Sequence, residues 1–217
     1  AALLPAIVDA GDKIHVGQSW PATQHLSMDH LDHSTWDALL QKYVDDAGYV
    51  DYGTWHRSAA DRQALASYLD SLSQADPSAE TSREAQLAFW INAYNAVTIE
   101  GILREYPTDS IRNHTAKGFG YNIWHDLLLT VGDEQISLDS IEHKILRPMN
   151  EPRIHFAIVC ASIGCPRLLN RAYVAEALDE QLTENTEHFF SDQSKFQFDA
   201  GRRQFVLSDI LNWFKAD

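Results

Sequence analysis

The apolar positions of this chain change their period partway along it. From Trp36 to Glu105 they recur every three or four residues, and beyond Tyr121 short strand-like runs alternate with helical ones. Residues 1–32 hold Pro5, Gly11, Gly17 and Pro21 and little periodicity, which predicts an extended arm. Asp32-His33-Ser34 then caps a helix carrying Trp36, Leu39, Leu40, Tyr43 and Val44, and Gly48 ends it. Tyr49–Tyr52 reads as a short strand or turn. Leu65, Tyr68, Leu69 and Leu72 form one face of a second helix, broken at Asp76-Pro77-Ser78. A third helix opens at Thr81-Ser82-Arg83-Glu84 and runs to Glu105; being apolar nearly all round, it is predicted to be central.

In the later half, Tyr121–Val131 and Glu134–Leu138 flank Gly132-Asp133 as a hairpin with a two-residue turn. Asp139-Ser140 caps a short helix to Leu146, Ile154–Cys160 has the β-branched and aromatic content of a strand, and Tyr173–Ser191 reads as a helix with an acidic outer face. Phe196–Phe198 and Arg203–Leu207 form a second hairpin around Asp199-Ala200-Gly201, and Ser208-Asp209 caps a last helix. The order of elements places the chain in the α+β class: a single domain over residues 33–217, preceded by the arm, with a small, mostly antiparallel sheet packed on a central helix.

Composition narrows the function classes. The formal net charge of −14 over 217 residues, without a basic block, argues against a nucleic-acid partner and against an anionic membrane surface. No run approaches the roughly 18 apolar residues of a membrane-spanning helix. A Gly-rich phosphate loop, a serine elbow and a dinucleotide fingerprint are missing from the sequence, so no cofactor is expected. His25, His30 and His33 have metal-ligand types but lack a recognised zinc spacing, and they read as a solvated segment.

Candidate chemistry concentrates in Ile154–Leu168, which contains both cysteines of the chain, Cys160 and Cys165. On the strand expected here Cys160 falls on an apolar face. Cys165, between Gly164 and Pro166, would instead cap a helical turn, where orphan N–H groups favour a thiolate. The alternatives are a buried, inert Cys160, and a Cys165 that is a plain turn residue or half of a disulfide. A thiolate enzyme needs a base: His143, preceded by Glu142 on the short helix, and His155, at the head of the expected strand, are the candidates. Asn92 and Asn95 lie in an otherwise apolar helix and need partners, so Asn92 is a candidate orienting group in a Cys-His-Asn arrangement. Each of these side chains also has a purely structural reading.

Phe89-Trp90-Ile91-Asn92-Ala93-Tyr94-Asn95-Ala96 resembles the signature helix of the domain-of-unknown-function 547 family. So do Ser137–His143, Arg153–Ala157 leading to Cys160-Ala161-Ser162 and Gly164-Cys165-Pro166, and Leu207–Ile210 with Trp213-Phe214. The resemblance spans about residues 30–217 and implies a bacterial, exported-type member. The start Ala-Ala-Leu-Leu-Pro is then expected to follow signal-peptide removal, with a periplasmic or secreted home. Some plant-like relatives carry Ser-Asp-Pro in place of Gly-Cys-Pro, which keeps Cys160 beside Cys165 as a candidate. The expectation is a Cys-His hydrolase or acyl transferase, loosely papain- or transglutaminase-like. Its substrate would be an amide: peptide-like, or a γ-glutamyl-like small molecule. The rival is a non-catalytic binding module in which Cys, His and Asn hold a pocket together; a redox or metal-handling protein is a third reading.

Overall fold

The central helix forms because its sequence has nothing to expose. In the computed structural model, which describes residues 13–111, 122–161 and 164–217, α4 (Arg83–Glu105) is buried at every residue from Leu87 to Leu103. The Ser82 hydroxyl caps it by accepting from the Ala85 amide. Around it pack α1 (Ser34–Tyr43), α2 (Tyr52–Arg57) and α3 (Ala59–Leu72). α2 and α3 split at Ser58, which caps the second of them through the Asp61 amide. Stacked rings of Trp36 on Tyr68 and of Tyr43 on Trp55 fill the space between these helices.

A three-stranded sheet covers one end of α4: β1 (Ile14–Val16), β2 (Leu127–Val131) and β3 (Glu134–Ser137), in that order. β2 and β3 form the expected hairpin, with Leu129 opposite Ile136 and Gly132 at φ +57° in the turn. Its first strand starts at Leu127, later than the sequence pattern suggests; Tyr121 lies outside the described residues. The arm does more than wrap. Within it Ile14–Val16 add the parallel edge strand β1, and Trp20 Nε1 donates to the Asp70 carbonyl at 2.8 Å. Further along, Asp29 accepts from both the amide and the hydroxyl of Ser82, and these bonds hold its carboxyl below the usual range. Residues 1–12 of the arm lie outside the described part.

After β3 the chain turns through α5 (Leu138–Ser140), capped by the Ser137 hydroxyl. It widens into a π turn at Ile141–Leu146 and tightens into a 3₁₀ turn at Arg147–Met149. The strand expected over Ile154–Cys160 does not form. Pro152–Phe156 is a 3₁₀ turn, with Pro152 at its start and the Glu151 carboxylate accepting from the Arg153 amide. α6 (Leu178–Ser191) begins five residues later than expected, after a single 3₁₀ turn at Ala175–Ala177. The second hairpin, β4 (Phe196–Asp199) with β5 (Gln204–Leu207), leads to α7 (Asp209–Trp213), capped by Ser208. A minor apolar cluster of Phe156, Phe189 and Ile210, with Leu211 and Phe214 against it, attaches this last part to the body.

Candidate functional site

The described residues between Ala157 and Val174 form neither helix nor strand, yet much of this segment is buried. Buried backbone N–H and C=O groups need partners, and here side-chain amides supply them. Asn95 Nδ2 donates to the Ala157 carbonyl and its Oδ1 accepts from the Val159 amide, both at 3.0 Å. Asn92 does the same for Tyr173, at 2.8 and 3.0 Å. Gln181 bonds the Ala172 carbonyl at 2.7 Å and the Val174 amide at 3.0 Å. Asn185 donates to the Phe156 carbonyl at 3.1 Å and accepts from Arg167 Nε at 2.9 Å. Each amide stands in for a neighbouring strand, so an irregular segment is fixed in place by two helices. This is why the β-branched run after Ile154 has no need of a sheet.

That segment carries the cysteines, and they are joined: Cys160 and Cys165 form a disulfide with Cα atoms 6.3 Å apart. The alternative in which Cys165 is half of a disulfide is therefore the one found. No helical turn follows it, because Pro166–Leu169 is irregular, with Leu168 and Leu169 buried in the core. The helix N-terminus expected to face the Cys165 sulfur is thus lacking.

A cleft of about 220 Å³ runs along the segment. Val50, Val159, Leu168 and Phe189 give it apolar lining; Tyr52, Cys165, Arg167 and His188 give it chemistry. The turn between α1 and α2 closes one side. There Gly48 has φ +84°, and a Cβ on it would sit 2.5 Å from Arg167 Cβ. Arg167 is fully engaged: besides Asn185 it donates to the Asp46 carbonyl at 3.1 Å and to Glu184 at 2.5 Å. His188, half-buried on α6, is pushed below its ordinary pKa by burial and by the charge of Arg167, with Asp192 and Glu184 opposing.

The other expected site residues gather elsewhere. Glu142 and His143 lie on the π turn. Tyr94 Oη donates to Glu142 at 3.3 Å, and His143 Nδ1 accepts from Arg147 Nη1 at 3.2 Å. His155 Nε2 bonds Asp217 Oδ2 at 2.8 Å, and its ring stacks on Phe214 at 3.8 Å between centroids. Burial pushes the His155 imidazole down, partly offset by Asp217. The structure thus brings Glu142, His143 and His155 near one another through Arg147 and Asp217, and engages their rings there rather than at the sulfurs. Asn92 is a backbone clamp. His25 turns to the Trp20 carbonyl and His33 to the Tyr68 hydroxyl, so the early histidines do not converge; among the described residues no group of three or more His, Cys, Asp or Glu side chains is arranged for a metal.

Sequence reading missed His188, Gln181, Asn185 and Arg167. One signal was present: Gln181 and Asn185 interrupt the apolar stripe Leu178, Leu182, Phe189 of α6, just as Asn92 and Asn95 interrupt α4.

A family model described as "Protein of unknown function, DUF547" matches residues 78–190, which include all four clamping amides, both cysteines and His188. No curated protein matches the chain, and no solved structure does. Among the described residues no helix is long and apolar enough to cross a membrane.

Proposed function

Since the chain belongs to the DUF547 family, whose name assigns no reaction, we propose a function from the cleft: a Cys-His hydrolase or acyl transferase acting on an amide or thioester. The observation that carries the proposal is that Cys165 and the imidazole of His188 line one small cleft on a backbone segment fixed by buried amides. Preorganisation of this kind is what a nucleophile and its base require. The disulfide is the resting, protected form. A dithiol reductant supplies two electrons and leaves two thiols, of which Cys165 faces the cleft. His188 takes the Cys165 proton, and the sulfur attacks the carbonyl carbon. The amine or thiol leaves with that proton, and water or an acceptor amine resolves the thioester. His188 replaces His143 and His155 as the base, because Arg147 and Asp217 hold those two rings. Backbone N–H groups of the Ala161–Cys165 turn would donate to the oxyanion; Ser162 and Ile163 of that turn lie outside the described residues.

The cleft volume suits the end of a peptide-like or γ-glutamyl-like substrate rather than a whole polymer. A disulfide and a net charge of −14 fit an exported, periplasmic or secreted bacterial protein without a nucleic-acid partner. The second reading, a binding module, is favoured by the disulfide itself, which leaves both sulfurs oxidised.

The rate of Cys165 alkylation by iodoacetamide in the reduced chain, measured against pH by peptide mass spectrometry, separates the two. The enzyme reading expects an apparent thiol pKa well below the ordinary value of about 8.5, raised again in His188→Gln. An ordinary thiol, unchanged by that substitution, would leave the binding module.

A further inference from the structure

Arg147 and His155 together make a receptor for a carboxylate. Arg147 Nε and Nη2 grip the two oxygens of the Asp217 side chain at 2.7 and 2.8 Å, the parallel fork that guanidinium presents to carboxylates. His155 Nε2 donates to one of the same oxygens at 2.8 Å. The His155 side chain is only 4% exposed, and its Nδ1 is buried without a partner. A hollow of about 140 Å³ adjoins the three residues, lined also by Asn150, Glu151 and Ile154. An imidazole buried to this degree, with one nitrogen aimed at a carboxylate and a hollow beside it, is more than an exposed ion pair requires.

The receptor and its occupant are attached very differently. Arg147 and His155 stand on consecutive 3₁₀ turns of the body, and the buried Leu146 and Ile154 beside them belong to the main core. Asp217 arrives on the segment after β5, whose strand residues are exposed. In α7 itself Ile210 is the buried residue. Phe214 covers His155 and lies 5.4 Å below the Arg147 guanidinium. The occupant is carried by a flap anchored through the minor cluster of Ile210, Leu211 and Phe214, while the receptor sits beside the main core.

We propose that the Arg147–His155 pair is a binding site for the carboxylate of a small organic acid, and that Asp217 is its built-in competitor. The ligand displaces the Asp217 side chain, takes over the guanidinium fork and the His155 N–H, and extends its remainder into the adjoining hollow. Neither Cys165 nor His188 takes part, so the site stands or falls independently of the cleft chemistry.

The full chain titrated with succinate, against succinamide and matched sodium chloride, tests this. In the native chain the proposal expects succinate alone to accelerate exchange of the Phe214 amide, which donates to the Ile210 carbonyl at the end of α7. It also expects succinate to move the His155 ring resonances. In Asp217→Ala, freed of its competitor, calorimetry reads succinate binding tighter by roughly tenfold, the gain that follows from removing a competitor with an occupancy of about 90%. Adding Arg147→Gln to Asp217→Ala abolishes it. Equal effects of succinate and succinamide, or binding that survives loss of Arg147, would overturn the proposal. Should Asp217→Ala prove unfolded, the native-chain exchange data decide alone: no acceleration at Phe214 refutes it.

Discussion

Asn95→Leu replaces one amide of α4 with an apolar side chain of the same branched skeleton and touches neither sulfur. Asn95 is 1% exposed, and its two bonds go to the Ala157 carbonyl and the Val159 amide, which are themselves buried. The substitution leaves both backbone groups in an apolar setting without water. Each unpaired group costs about 1–3 kcal/mol, so the pair costs about 3 kcal/mol once the gain from a leucine side chain is set against it. For a chain of this size that is roughly a 6–12 °C fall in melting temperature. Calorimetry and denaturant unfolding measure the loss, with the slope on denaturant unchanged if only stability moves. Amide exchange supplies the local reading: Val159 should exchange far faster, while the amides of β2 keep their protection. A variant melting within about 2 °C of the parent, or a Val159 amide still protected, would refute the claim that Asn95 is what holds the cysteine segment.

Other consequences follow from the same geometry. Gly48→Ala puts a Cβ at φ +84° and 2.7 Å from the Leu168 amide nitrogen, and should cost about 2 kcal/mol or more in denaturant unfolding while narrowing the cleft. His33, bonded to the Tyr68 hydroxyl, has its pKa pushed by burial from 6.5 to about 4, with Asp32 opposing. Between those values the unfolded chain binds a proton that the folded chain refuses, so stability should fall as pH drops from about 6.5 toward 4. His33→Gln should flatten that slope by about 2–3 kcal/mol in pH-dependent unfolding. Arg167→Lys loses a fork that ties Asn185, Asp46 and Glu184 together, and should destabilise by about 1–3 kcal/mol; a native melting curve would show the fork to be ornamental.

What the sequence disclosed was whatever local pattern decides. The all-round apolar run of α4, the Gly132-Asp133 turn and the caps at Ser82 and Ser208 each carry their cause within a few residues, and each forms. Asn92 and Asn95 were legible as amides in need of partners, since hydrocarbon offers none. Their partners were not, because Tyr173 lies 81 residues from Asn92 and Val159 lies 64 from Asn95. The same distance explains the strand misread at Ile154–Cys160: side-chain branching favours extended backbone, but whether a neighbouring strand or a buried amide pairs it is decided by tertiary packing. His155 and His143 were singled out as candidate bases for a thiol; the structure buries the first and leaves the second exposed. Their link through Arg147 to Asp217 spans 70 residues and leaves no trace in spacing. His188 escaped notice because α6 reads as an acidic, solvated face, and only the interrupting Gln181 and Asn185 betray that a second face is occupied.

The reaction proposed for Cys165 is tested most directly by trapping the acyl intermediate it requires. The chain, reduced and then incubated with an activated ester such as p-nitrophenyl acetate, is quenched in acid and digested. The peptide bearing Cys165 should then carry an acetyl group that hydroxylamine removes, at a yield lowered by His188→Gln and abolished by Cys165→Ser. Acetyl spread over surface lysines with none on Cys165, or equal acetylation of Cys160 and Cys165 indifferent to His188, would contradict the account.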